Sequence, residues 1–159
     1  MSYAALLSWG DVMNDNIKVK GEWLFFLDSY LVFRGDNLIT QAGLNFLAGL
    51  LTGGSDDIPI HLAMGTGTNP PALTDTKLQI EGMRKPVSSK QTQANLVRIR
   101  TFFLPAEANG DWKEFGLFLS GTDLPDSGTL FNRITPPGGI SKAGNQVLSV
   151  EVRVTFEAG

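Results

Sequence analysis

One histidine and no cysteine bound the chemistry open to this chain of 159 residues. A Ser–His–Asp triad would have to use His61, and no Gly-x-Ser-x-Gly elbow presents a serine to it. His61 lies in "IPIHLAMG", opposite Ile60, Leu62 and Met64, and reads as an exposed or half-buried strand residue. A zinc centre would need carboxylates to complete its shell. "GTGTNPP" at 65–71 follows a strand-like run, as a phosphate loop would. No Gly-Lys-Ser/Thr follows it, and Pro70-Pro71 blocks the helix on which a phosphate would rest. Gly65 and Gly67 therefore read as turn glycines. The acidic loops "GGSDD" and "LPDSG" lack the Asp-x-Asp-x-Asp-Gly spacing of a calcium loop. Glu107, Asp111, Glu114 and Glu151 would serve glycoside hydrolysis only if two of them met in one cleft, and surface solubility is the simpler role. Trp9, Trp23 and Trp112 would make a sugar-stacking platform if exposed and coplanar. No catalytic residue, cofactor or metal is expected.

The elements that must carry these residues are mostly strands. "IKVKGEWLFFL" (17–27) alternates, with Val19, Trp23, Phe25 and Leu27 on one face; Asp28-Ser29 punctuates, and Tyr30 to Phe33 completes a hairpin. Leu44, Leu47, Leu50 and Leu51 recur at helical spacing, predicting one helix at about 40–52 with Thr40 as N-cap and Gly53-Gly54 as its stop. Gly43 and Gly49 inside it predict a close neighbour, because each costs about 1 kcal/mol against Ala. "GMRKPVSSKQT" and "ANLVRIRTFFLP" read as a strand pair, with Val97, Ile99 and Phe103 opposite Arg98 and Arg100. Asn109-Gly110 marks a tight turn before Trp112. "WKEFGLFLS" is apolar on both faces for part of its length, and "QVLSVEVRVTFEA" alternates cleanly. Seven to nine short strands with turn signals and one helix predict a mainly β fold, an antiparallel β-sandwich with an α-helix packed on it. We expect an N-terminal arm at 1–16 and a single domain at 17–159.

Composition narrows the partners. Hydrophobic residues make up 42% and charged residues 18%, so the chain can bury a core. A net charge of −3 does not favour nucleic acid. No run reaches the roughly 18 apolar residues of a membrane helix, so no membrane partner is expected. The start lacks a basic region and a long apolar stretch, which predicts synthesis in a cytoplasm rather than secretion.

Four runs in order, "NLITQAGLNFLAGLLTGG", "IHLAMGTGTNPPALTDTKLQIEGMRKPV", "FFLPAEANGDWKEFGLF" and "GTLFNRI", resemble small virion structural proteins and tail-fibre or baseplate domains of tailed bacteriophages. They cover about residues 37–135. The resemblance implies a non-enzymatic virion part, made in the bacterial host, that docks to copies of itself (a trimer is the expected form) and to other virion proteins. A tail, baseplate, fibre-associated or collar subunit fits better than a long fibre, since no coiled coil or fibre repeat is present. A capsid decoration protein is the alternative, and a carbohydrate-binding module for host surface glycan is the rival from another class. Expected contacts are Tyr3, Leu6, Leu7 and Trp9 in the arm, Gly65, Thr66, Gly67, Thr68 and Asn69 in the 65–76 loop, and the 136–145 loop. Read physically, Asp75-Thr76 forms a self-bonded turn, and Arg84 and Arg133 pair with Glu81 or Glu114 as exposed, weak pairs. The tripeptide Arg34-Gly35-Asp36, which spells a cell-adhesion ligand, reads as a turn between a strand and the helix.

Overall fold

The computed structural model describes residues 16–53 and 57–159. Its elements run β1 (Ile17–Leu27), β2 (Tyr30–Asp36), β3 (Leu38–Ile39), α1 (Gln41–Leu50), β4 (Ile60–Gly65), β5 (Glu81–Pro86), β6 (Ser89–Gln93), β7 (Leu96–Phe103), β8 (Gly110–Trp112), β9 (Glu114–Leu119), β10 (Thr129–Ile134), β11 (Ile140–Lys142) and β12 (Leu148–Ala158). Nine of these strands are five residues or longer, the upper end of the expected range; β3, β8 and β11 are shorter. Two five-stranded antiparallel sheets form the sandwich, one in the order β2-β1-β12-β7-β6 and the other β3-β10-β9-β4-β5, with β11-β8 as a small third sheet.

The core lies between the two large sheets. Trp23, Phe25, Val150 and Val152 from the first meet Leu62, Met64, Phe115 and Leu117 from the second, all at 1% exposure or less. The Phe115 ring sits 4.6 Å from that of Phe25 and 6.2 Å from that of Trp23. Each such side chain stabilises the fold by about 1.5–3 kcal/mol. β12 occupies the centre of the first sheet, between β1 and β7, so the last strand of the chain completes the ladder begun by the first.

β9 is buried along its whole length because the second sheet is covered on both sides. Phe115, Leu117 and Leu119 face the main core, whereas Phe118 joins Ala63, Leu78 and Leu130 in a smaller cluster on the opposite face. Leu78 belongs to the segment between β4 and β5, which lies over that face as a lid of backbone.

Thr40 caps α1 as expected, its hydroxyl accepting the Gly43 N–H at 2.9 Å. Gly43 is needed for contact: a Cβ there would lie 2.6 Å from the Phe131 carbonyl oxygen. Gly49 meets nothing within 4 Å, so the close-neighbour expectation holds at one glycine and fails at the other. The β1–β2 hairpin turns at Asp28 (φ 47°) and Ser29 (φ 70°), two positive-φ residues as a two-residue primed turn requires.

Three sequence expectations are corrected. The run 82–92, read as one strand, belongs to two. β5 pairs with β4 and β6 with β7, and the chain crosses between sheets where the Val87 N–H binds the Ile60 carbonyl and the Ser88 N–H binds the Arg100 carbonyl. Pro86 ends β5 at this crossing, consistent with its missing N–H. Arg34-Gly35-Asp36 is not a turn but the end of β2, paired with Leu24, Trp23 and Glu22. Hydrogen bonding to β1 holds the triplet extended, and Arg34 reaches Glu22 at 3.0 Å. His61 is buried at 5% exposure rather than half-exposed, because the 120–128 loop closes over it and Asp123 meets its Nε2 at 3.0 Å.

Candidate interaction site

The segment from Thr66 to Ile80 has no regular structure, so its backbone N–H groups need partners from elsewhere. Glu114, at the start of β9 and fully buried, supplies them. Its Oε1 accepts the N–H of Gly67 at 3.0 Å and of Ile80 at 2.7 Å, and its Oε2 accepts the N–H of Gln79 at 2.9 Å. Arg133, 2% exposed on the adjacent β10, donates Nε and Nη2 to the same Oε2 at 3.0 and 2.8 Å. The third guanidinium nitrogen donates to Asp75 Oδ2 at 3.1 Å, and that oxygen accepts the Ala72 N–H at 2.8 Å. One carboxylate and one guanidinium thus hold both ends and the middle of the loop on the sheet.

Gly65 and Gly67 fit this latch through their lack of a side chain. A Cβ at Gly65 would collide with the Ile80 carbonyl oxygen, and one at Gly67 would stand 2.5 Å from Glu114 Oε1. Neither has the positive φ of a turn glycine, so their role is close approach.

A second latch lies one strand away. Arg84 and Glu81 on β5 pair through two bonds, Nε to Oε2 at 2.9 Å and Nη2 to Oε1 at 2.7 Å, with both side chains at most 2% exposed. Arg84 Nη1 donates to the Ser127 carbonyl, the Ser127 hydroxyl and the Thr122 carbonyl, and the guanidinium lies 4.3 Å over the Phe118 ring. This cation fastens the 120–128 loop as Arg133 fastens 66–80. The pairings match the expectation from sequence, but their exposure does not: both loops fold over them, so removal of one partner would strand a buried charge.

Among the described residues, no loop covers the outer face of the first sheet. Paired residues on β1, β12 and β7 give the rows Glu22–Arg153–Arg98, Leu24–Glu151–Arg100 and Phe26–Ser149–Phe102. Glu151 lies 3.4–3.6 Å from Arg153, Arg98 and Arg100, and Glu22 lies between Arg34 and Arg153. Arg98 Nε is buried without a hydrogen-bond partner. The small Ser149 between Phe26 and Phe102 leaves a cleft of about 270 Å³, with Arg100 and Glu151 at its side. A wholly apolar groove of about 160 Å³ also lies beside α1, lined by Phe46, Leu47, Leu50, Ile58 and Phe156 among others.

Of the expected contact residues, Tyr3, Leu6, Leu7 and Trp9 lie outside the described residues. Thr66, Thr68 and Asn69 are exposed on the latched loop, while Gly65 and Gly67 are buried under it. The 136–145 loop is partly a strand, and its Ile140 and Lys142 are buried. Trp23 sits in the core at 0% exposure, and Trp112 is half-buried with its Nε1 donating to the Ala108 carbonyl, so these two do not form the sugar platform weighed as the rival reading. Of the four carboxylates weighed for hydrolysis, Glu114 is occupied by Arg133 and the loop amides, Glu107 pairs with Lys85 at 2.6 Å, Asp111 accepts the Ser141 hydroxyl, and Glu151 is surrounded by arginines. Sequence reading missed the arginine ladder as a surface. Its signal was the alternation of Arg98, Arg100, Glu151 and Arg153 on two strands whose pairing was unknown. Among the described residues, no group of three His, Asp or Glu side chains is placed to hold a metal, and no helix is long and apolar enough to cross a membrane.

No family model, curated protein or solved structure matches this chain.

Proposed function

We propose that this protein is a non-enzymatic structural subunit of a tailed-phage particle, placed at the tail end as a tail, baseplate, fibre-associated or collar component, and that it acts by docking to copies of itself and to other virion proteins. The observation carrying the reading is where the recurring residues of the phage-like segments go. Gly65, Gly67 and Asp75 of one segment, Glu81 and Arg84 at its end, Glu114 of the next and Arg133 of the last form the two latches on one face of the second sheet. A motif whose charged members all bind one another and the backbone serves architecture. It fixes long loops as a rigid surface, and a rigid loop surface loses little conformational entropy when a partner docks. The exposed Thr66, Thr68 and Asn69 at the start of one latched loop belong to that surface.

The test is mass spectrometry of purified particles of the phage encoding this chain, followed by immunogold labelling. Recovery in particles with gold at the tail end or neck is the expected result. Gold over the head would move the protein to capsid decoration, and absence from the particle by mass spectrometry would overturn the reading. Replacing Leu6, Leu7 and Trp9 by Ser should abolish incorporation if the arm is a docking element.

A further inference from the structure

We propose that the uncovered outer face of the first sheet pairs with the same face of a second copy of this chain, about a two-fold axis parallel to the strands and lying between β1 and β12. The proposal deepens the docking reading by naming one partner and one surface, and it rests on that reading only for self-association, not for the virion.

The argument begins with what each face lacks. The second sheet's outer face carries its own two loops, whereas among the described residues no segment lies over the first sheet's. On the uncovered face, Phe102 is 43% and Leu31 52% exposed, in the same row as Phe26. Charge and shape then select the occupant. Rotation about the proposed axis lays the β2–β1 half of one copy over the β7–β12 half of the other. In the charged row, Asp36 and Glu22 on the first half come to face Arg98 and Arg153 of the second copy. The row is acidic on one side of the axis and basic on the other, so it is self-complementary. Arg98, whose Nε is ion-paired to Glu151 at 3.6 Å and whose side chain is part exposed, gains Asp36 of the second copy as a further carboxylate partner. In the apolar row, Phe26 comes to face Ser149 of the second copy, where the cleft of about 270 Å³ can take a phenyl ring. The contact repeats on the other side of the axis, as an isologous interface requires. Arg34 is set over Arg100 of the second copy, but Arg34 is bound to Glu22 and Arg100 lies 3.6 Å from Glu151, so neither is an unpaired charge.

Strands about 4.8 Å apart and about 3.3 Å per residue give a face of roughly 500 Å² per copy, about 1,000 Å² in total, near the lower limit for a specific interface. A reversible dimer in the micromolar range follows, and a trimer is its direct rival.

The experiment is sedimentation equilibrium of the full chain from about 1 µM to about 1 mM, a range that brackets such a dimer. The expected result is a monomer–dimer equilibrium that Ser149→Arg, which fills the cleft, weakens about a hundredfold, and that Ser149→Ala leaves within about threefold. Glu22→Arg and Arg153→Glu should each be monomeric alone and dimeric when mixed. Each variant by itself sets like charges against each other across the axis, and only the mixed pair restores opposite charges at both symmetry-related contacts. Thermal unfolding verifies that each variant is folded, and the Ser149 pair decides the matter if the charge variants are not. A wild-type monomer throughout, a trimer, or a dimer indifferent to Ser149→Arg would overturn the proposal. Absence from virions with this dimer intact would remove the phage reading alone.

Discussion

Glu114 accepts five N–H groups, three from backbone and two from Arg133, with no exposure to water. Glu114→Gln removes the charge facing Arg133 and replaces one acceptor oxygen by a donor. It should destabilise the protein by about 3–5 kcal/mol in urea unfolding, since the buried arginine loses its buried counter-charge and keeps only Asp75. Gly67→Ala should cost about 1–3 kcal/mol by pressing on the same oxygen, with the loop shifting to relieve it. Ser29→Gly acts in the opposite direction: Ser29 holds φ 70°, and glycine there should stabilise by about 0.5–1 kcal/mol in the same assay. Glu107 gives a pH dependence. The hydrogen bond from Lys85, then the Leu104 N–H, holds its carboxyl below the usual carboxylate range. A lowered acid stabilises the fold above its unfolded pKa and loses that contribution as pH falls through the folded one. Urea midpoints should therefore drop below about pH 4.5, less steeply in Glu107→Gln than in the wild type.

Elements were legible where one face decides them. β12 alternates cleanly, and β1 and β7 over part of their length, because one face meets the core, and α1 announced itself by its cap and leucine spacing. The failures fall where a neighbour decides. The 82–92 run has no turn residue pair to show that it changes sheets at Pro86, and nothing local in Arg34-Gly35-Asp36 says that β1 will bind it as a strand. The latched loops are elements by virtue of single arginines. Arg84→Lys keeps the charge but loses the two-bond fork to Glu81 and the carbonyl contacts. Amide exchange at 122–127 should rise about tenfold, with β1 and β12 unchanged, as expected for a local opening.

At the scale of the whole molecule, the strand beginning at Ile17 and the strand ending at Ala158 lie side by side, Ile17 opposite Ala158. Closing so long a loop before the ladder can form makes folding slow, in the range of milliseconds to seconds by stopped-flow fluorescence of Trp23. A chain ending at residue 147 should fail to give a cooperative unfolding transition, because β12 is the central strand of the first sheet and pairs with both β1 and β7.

By itself the sequence determined the fold class, the helix and its cap, the hairpin at Asp28-Ser29, and that Arg84 and Arg133 would find partners in Glu81 or Glu114, though not which with which. Each follows from local spacing or from the small number of charges that mainly β segments can pair. The tertiary structure alone decided that those pairs are buried, that Gly65 and Gly67 serve contact rather than turning, that Trp23 is closed to any sugar, and that four arginines share one open sheet face. Burial and strand order depend on which segments become neighbours, and that is settled by packing between residues far apart in the chain.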